Sequence, residues 1–121
     1  MGNKLEKGEI LKLVVATEFS ETPGPRSREE GPFSGELFLD DLLRPKYKAA
    51  VEAREKLIID LDGTEGYATS FLEAAFGGLA REYDEKDILK IIDFKSDDEP
   101  HLIAEIAQYI REARVKAARS K

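Results

Sequence analysis

The chain contains no cysteine, which excludes a disulfide framework and a thiolate metal site. It has a single histidine, His101, and no second imidazole that could share a metal ion, so this residue is expected at the surface. No apolar run is long enough for a signal peptide or a membrane-spanning helix. We therefore expect a cytoplasmic protein that needs no cofactor or metal and does not bind a membrane.

Positive charge is also scarce. The chain has 19 Lys and Arg against 25 Asp and Glu, a net charge of −6 and a pI near 4.9. This balance disfavours a protein that binds nucleic acid by neutralising its phosphates. Only the C-terminal end is basic, and its cations suit the negative end of a final helix that frays into a tail over residues 116–121.

The chain is of a size that supports one hydrophobic core. It has 121 residues, of which 41% are apolar and 36% charged, a balance typical of a globular domain. Residues 1–121 are therefore expected to form a single domain, with no internal repeat.

Hydrophobic periodicity predicts the order strand, long loop, helix, strand, helix, strand, helix. The predicted ranges are residues 9–19 (strand), 20–34 (loop), 35–54 (helix), 57–61 (strand), 69–83 (helix) and 87–94 (strand), with a last helix that starts in residues 96–100. Ser34 is the expected N-cap of the first helix, and Pro45 is expected to kink or split it. The order predicts an α/β fold, a small mixed sheet with crossover helices.

The long loop at residues 20–34 holds three of the five prolines. Its segment Pro23-Gly24-Pro25-Arg26 is a stiff corner, because proline fixes its own backbone angle. The corner could present Arg26 and Arg28 to an anion, or it could be an ordinary surface loop.

The most informative segment is LIIDLDGTEGYATSFLEAAFGG at residues 57–78, an apolar strand that runs through a polar turn into a helix. Ligands of open α/β folds gather at the carboxyl edge of the sheet, where such a turn lies. The turn is therefore the first place to look for a functional site.

The five residues Asp60-Leu61-Asp62-Gly63-Thr64 resemble the opening motif of the haloacid-dehalogenase-like phosphatases. That resemblance implies Asp60 as the nucleophile and Asp62 as the general acid, both helping to hold magnesium. Lys95, Asp97 and Asp98 follow in the order of that family's later motifs. The chain after the motif is short for the family's remaining strand–helix units, and Asp-Gly is ordinary turn chemistry.

The following helix supports a different resemblance. The segment GYATSFLEAAFGGL at residues 66–79, with PGPR at 23–26 and SGE at 34–36, resembles the STAS-like bacterial domains of unknown function, which are related to anti-sigma-factor antagonists. The resemblance implies a non-catalytic regulatory module. It also implies a protein partner, with a histidine-kinase-like ATPase as the leading candidate.

In those antagonists a Ser or Thr at the start of this helix is phosphorylated, and the position falls on Thr69 with Ser70 beside it. A helix start offers free amides and a positive dipole end, so a hydroxyl caps it and a phosphate can be held there. A plain N-cap is the alternative interpretation of the same two residues.

The predicted partner surface is the turn and the exposed face of the following helix, aided by the PGPR loop. Self-association through the edge of the first strand is a further prediction. The residues assigned to the partner surface are Gly63, Tyr67, Thr69, Ser70, Glu73 and Arg26.

Overall fold

A computed structural model describes residues 11–119, with side chains through residue 113. Strand β1 (Leu11–Val14) leads directly into a short helix, α1 (Val15–Glu18). A single 3-10 turn, Arg28–Glu30, interrupts the long loop. The remaining elements are α2 at residues 35–53, β2 (Leu57–Asp60), α3 at residues 69–80, α4 (Glu85–Ile91), β3 (Ile92–Lys95) and α5 (His101–Arg119).

The three described strands form one parallel sheet in the order β1-β2-β3, with Leu13 opposite Ile59 and Ile59 opposite Phe94. The parallel directions require crossover connections, which run through α2 and through α3 with α4. The predicted α/β fold class is confirmed. Residues 9 and 10 of the predicted first strand lie outside the described residues.

The hydrophobic core lies between one face of the sheet and helices α2, α3 and α5. Leu13, Leu57 and Ile59 are fully buried on that face, because alternate residues of a strand point to the same side. On the other face Lys12 and Asp93 are exposed in register with Ile58. The helices contribute these buried side chains to the core, among others: Phe38, Tyr47, Phe71, Phe76, Ile106 and Ile110.

The prediction of a strand over residues 9–19 is wrong beyond Val14. The Val14 amide donates a hydrogen bond to Oε2 of Glu18 at 2.9 Å, and the Phe19 amide donates to the Val15 carbonyl at 2.9 Å. These local bonds close a helical turn. The turn places the Phe19 ring against the Phe38 ring, with 5.1 Å between the ring centroids.

The prediction of a strand over residues 87–94 is wrong for its first half, which is helix α4. The Asp84 side chain accepts a hydrogen bond from the Lys86 amide at 2.8 Å, as expected of an N-cap. Ile88 is fully buried on the inner side of this helix. Strand β3 begins only at Ile92.

Helices α2 and α3 each contain a π-helical turn. In α2 the parts are Gly35–Phe38, the π turn Leu39–Leu43 and Arg44–Ala53. Backbone angles stay helical at Leu43 and Arg44, so Pro45 does not split the helix. The π turn, which ends two residues before Pro45, shifts the hydrogen-bond register, and this shift accommodates a residue with no amide donor.

Helix α3 comprises Thr69–Leu72, the π turn Glu73–Gly77 and Gly78–Ala80. It therefore ends three residues before the predicted boundary at residue 83. Beyond the helix, the Tyr83 ring packs edge-to-face on Tyr47, with 5.0 Å between ring centroids.

The long loop is closed onto the start of α2. The Gly24 amide donates to the Phe33 carbonyl, and the Gly35 amide donates to the Pro25 carbonyl, both at 2.8 Å. A Cβ at Gly24 would lie 2.2 Å from the Pro32 carbonyl oxygen, so only glycine fits there. Ser34 caps α2 as predicted, accepting from the Leu37 amide at 3.1 Å.

Helix α5 packs against α3, and its side chains Leu102, Ile106 and Ile110 are buried. The Ile103 side chain of the same helix is 39% exposed. His101 is exposed, as predicted. The frayed tail stays a prediction, since side chains beyond residue 113 and all of residues 120–121 lie outside the described residues. None of the helices in the described part of the chain is long and apolar enough to span a membrane.

Candidate functional site

The turn that follows β2 lies against the segment that follows β3 at the carboxyl edge of the sheet. The Leu61 amide donates to the Lys95 carbonyl at 2.8 Å, which extends the parallel pairing by one residue. The two strands therefore end together. Residues 62–68 and 96–100 are held side by side as a result.

Asp62 joins the two segments. Its Oδ1 accepts from the Asp98 amide at 2.8 Å, and its Oδ2 accepts from Lys95 Nζ at 2.8 Å and from the Asp97 amide at 3.1 Å. The Lys95 hydrogen bond is the main cause that lowers the pKa of Asp62 to about 2, followed by the Asp98 amide. The same pairing raises the pKa of Lys95. Asp62 is therefore a stable anion that holds the turn against the segment that follows β3.

Two further hydrogen bonds stabilise the same turn. The Gly63 amide donates to Oδ2 of Asp98 at 3.1 Å, and Oδ1 of Asp60 accepts from the Asp62 amide at 3.0 Å. Gly63 has a φ of 91°, a conformation that side chains rarely adopt. Asp60, Asp62 and Gly63 thus form one hydrogen-bonded turn.

Tyr67 anchors the far end of the turn. Its hydroxyl donates to the Leu61 carbonyl at 2.9 Å, and its ring centroid lies 5.9 Å from that of Phe71. Burial is the main cause that raises the pKa of Tyr67. The side chain therefore sets the shape of the turn from within.

A small polar cavity of about 140 Å³ lies between the two segments. Its lining includes the carboxylates of Glu65, Asp98 and Glu99. Within the described residues, no cluster of three or more His, Cys, Asp or Glu side chains is arranged to hold a metal ion.

Helix α3 begins immediately after the turn, with Thr69 exposed and Ser70 half-buried. The N-cap residue is Ala68, whose carbonyl accepts from the amides of Phe71 and Leu72. The interpretation of Thr69 or Ser70 as the N-cap is therefore wrong. Their hydroxyls lie in the first helical turn without capping it.

Glu73 follows Thr69 by four residues, so the two side chains share one face of α3. Its Oε1 pairs with the Arg26 guanidinium, and its Oε2 accepts from Arg81 Nη2 at 2.6 Å. The Glu73 side chain is 19% exposed. The PGPR corner is thereby attached to α3.

The cations of the loop are all paired with carboxylates. Arg28 Nη2 lies 2.7 Å from Oδ2 of Asp40. Arg44 joins the same network, because its Nη1 lies 2.8 Å from Oδ1 of Asp40 and its Nη2 lies 2.7 Å from Oε2 of Glu82. Arg26 and Arg28 each pair within the described chain, while their side chains stay 49% and 52% exposed. Sequence reasoning missed Arg44, which pairs with Asp40 and Glu82, and Arg81, which pairs with Glu73, since the Arg44–Glu82 contact depends on how distant segments pack.

The site is the carboxyl-edge turn of a small α/β domain with a parallel sheet, followed at once by a helix with an exposed hydroxyl. A family model for the STAS-like domain of unknown function (DUF4325) matches residues 34–102, which is more than half of the chain. The chain belongs to this family. No curated protein and no solved structure matched the chain at the significance required of a match.

The matched range begins at Ser34, the N-cap of α2, and ends at Leu102 in the first turn of α5. It includes β2, the carboxyl-edge turn, α3 and β3. The predicted site residues other than Arg26 therefore lie inside the family match. Arg26 precedes the match and reaches it through Glu73.

Proposed function

We propose that this STAS-like domain is a non-catalytic regulatory module of the cytoplasm that binds a protein partner, as anti-sigma-factor antagonists do. The observation that carries the proposal is the exposed Thr69 hydroxyl in the first turn of α3, inside the family match. Because Ala68 occupies the cap position, this hydroxyl has no capping role. It is accessible to a kinase or to a partner.

The proposed contact surface is the turn from Gly63 to Ser70 with the exposed side of α3. Asp62 and Tyr67 hold this turn by hydrogen bonds at both of its ends. A surface that is already ordered loses little conformational entropy when a partner binds. This rigidity supports a binding role.

Phosphorylation of Thr69 would act as a switch in this proposal. A phosphate adds roughly −1.5 to −2 charge at neutral pH. On the shared face of α3 it would repel the Glu73 carboxylate and attract the Arg26 guanidinium that now pairs with Glu73. One modification would thus change both the partner surface and its contact with the loop. By resemblance, the leading partner is a histidine-kinase-like ATPase.

A magnesium-dependent phosphatase with Asp60 as nucleophile is the second candidate. One observation favours it, because Lys95 reaches the acidic turn as a later lysine motif would. However, a general acid must carry a proton near the working pH, and Asp62 has a pKa of about 2. We therefore favour the binding module.

The first test is a pull-down from the native organism with wild type and Thr69→Glu, read by mass spectrometry for partners and phosphopeptides. We expect the wild type to capture an ATPase that Thr69→Glu does not capture. Ala49→Glu adds the same charge at an exposed position near the end of α2 and serves as the matched control. Equal capture by all three proteins, with no phosphate on Thr69 or Ser70, would contradict the switch.

The second test measures hydrolysis of p-nitrophenyl phosphate with and without magnesium. We expect wild type and Asp60→Asn to show the same hydrolysis, with no activity that depends on Asp60. Magnesium-dependent turnover that disappears in this variant would overturn the module proposal in favour of the phosphatase.

A further inference from the structure

A groove of about 420 Å³ lies at the amino edge of the sheet, away from the carboxyl-edge turn. It is formed by the last turns of α2, the connection between α3 and α4, and α4 itself. Its floor is apolar and consists of Tyr47, Val51, Tyr83 and Ile91. Because α2 ends just before β2 and α4 ends just before β3, this edge is the one opposite Thr69.

The floor contains a buried hydroxyl that no residue of the described part of the chain satisfies. The Tyr47 side chain is fully buried, at 1% exposure. No side chain or backbone group of the described residues forms a hydrogen bond with its hydroxyl. Burial raises the pKa of Tyr47 to about 12, with smaller contributions from Asp87, Tyr83 and Asp84, which places the hydroxyl near the groove's acidic side. Buried tyrosine hydroxyls normally have a partner, so this one indicates a ligand from outside the described chain.

The rim of the groove is acidic. Asp87 and Glu52 lie on it without an ion pair or a side-chain hydrogen bond to any described residue, and Asp84 adds a third carboxylate while capping α4. Lys48 is the single cation of the lining. The two tyrosine rings meet edge-to-face with 5.0 Å between centroids, and aromatic rings of this kind attract cations. Charge and aromatic surface together select a cationic group.

We propose that this groove binds a lysine or arginine side chain of a protein partner, flanked by apolar residues of the same segment. A single basic side chain would fill only part of the groove. Val51, which is 45% exposed, extends the apolar floor toward solvent and would take the flanking residues. In the complex the guanidinium or ammonium group lies among Asp87, Glu52 and the Tyr47 hydroxyl. This surface is distinct from the one proposed to contain Thr69.

The test is an NMR titration of the ¹⁵N-labelled full chain with the peptide acetyl-Leu-Arg-Leu-amide. Its matched control peptide carries citrulline, a neutral analogue of arginine. We expect saturable shifts at Val51, Tyr83 and Asp87, and about tenfold weaker binding of the citrulline peptide. Asp87→Asn should weaken binding of the arginine peptide about tenfold. Asp41→Asn, an exposed residue in the first half of α2, should leave it unchanged.

Tyr47→Phe distinguishes a ligand role from a structural one. Since the hydroxyl has no partner within the described chain, its removal should leave the urea midpoint of unfolding unchanged or raise it. The same variant should bind the arginine peptide about fivefold more weakly. A lower urea midpoint with unchanged peptide binding would overturn the proposal.

Three further outcomes would also overturn it. Equal binding of the arginine and citrulline peptides would exclude a role for charge. Shifts confined to other parts of the chain would exclude this groove. Binding of free butylguanidinium as tight as that of the peptide would replace the protein segment by a small organic cation.

Discussion

At the scale of single residues, Asp62 illustrates how one carboxylate can organise a loop. It accepts two backbone amides and an ammonium group from residues 95–98. Such charge-assisted hydrogen bonds stabilise the ionised form, so the carboxylate and the folded turn stabilise each other. The motif that resembled a phosphatase is explained, in this structure, by the hydrogen bonds of a turn.

The lowered pKa of Asp62 predicts a dependence of stability on pH. In the unfolded chain an aspartate titrates near about 3.9, whereas in the folded protein Asp62 titrates at about 2. The stabilisation is therefore complete above the unfolded value and is lost as pH falls from about 4 to about 2. We expect Asp62→Asn to be less stable than wild type at pH 7, with a difference that shrinks across this window.

Urea unfolding at pH 7, 4, 3 and 2 measures that difference. Asp41→Asn, which alters an exposed aspartate with no described side-chain hydrogen bond, is the matched control. A difference between wild type and Asp62→Asn that stays constant down to pH 2 would show that the Asp62 charge does not stabilise the fold.

At the scale of elements, helices α2 and α3 pack closely at glycine. A Cβ at Gly35 would lie 2.6 Å from the Phe71 carbonyl oxygen and 2.9 Å from the Ala74 Cβ. Neither neighbour can move without shifting α3. We expect Gly35→Ala to lower the free energy of unfolding by about 1–3 kcal/mol, as overpacking does.

Gly78→Ala is the matched comparison. Its new Cβ would lie 2.6 Å from Cδ2 of Leu39, a side chain that can rotate away. Alanine is also favoured over glycine in a helix by up to about 1 kcal/mol. Urea unfolding should therefore show a smaller loss for Gly78→Ala than for Gly35→Ala. The reverse order would contradict the close helix contact at Gly35.

The start of α3 offers a second prediction at this scale. Ala68 has the extended backbone of an N-cap, with φ −72° and ψ 145°, but no side chain that can cap. We expect Ala68→Ser to raise the free energy of unfolding by about 1 kcal/mol, because serine can accept from a free amide of the first turn. Ala49→Ser, at a helical position near the end of α2, should instead cost about 0.5 kcal/mol or less. Thermal unfolding of both variants checks the pair, and equal effects would contradict the cap assignment.

Several elements could be predicted from the sequence because their signals are local. The apolar run of β2 and the cap at Ser34 are examples. The run Ile88-Leu89-Lys90-Ile91-Ile92 was ambiguous, since short apolar runs suit both a buried strand and a helix. Asp84 carried the missing signal, as a cap residue followed by acidic residues in the first turn. At α3, Thr69 was the better capping residue in isolation, but the N-cap position falls on Ala68.

At the scale of the whole molecule, the contacts that shape the site join distant parts of the chain. Arg26 and Glu73 are 47 residues apart, and Gly63 and Asp98 are 35 apart. No local sequence pattern encodes such pairs. The sequence could therefore predict the turn but not the long-range contacts that hold it in place. β1 is an edge strand of the described sheet, and self-association through it stays a prediction that the mass in solution would test.

The two proposed surfaces lie at opposite edges of the sheet, which predicts that they act independently. Strands β2 and β3, together with the core, lie between the Tyr47 groove and Thr69. Effects of changes at distant sites with no shared contacts are usually additive. We therefore expect Thr69→Glu to leave the affinity for the arginine peptide within about twofold of wild type. Asp87→Asn should likewise leave capture of the carboxyl-edge partner unchanged. An NMR titration of Thr69→Glu and a pull-down with Asp87→Asn measure the two effects. Linkage requires coupled sites to affect each other equally. A loss of binding at each surface caused by the change at the other would therefore show that α2 and α3 couple the two edges.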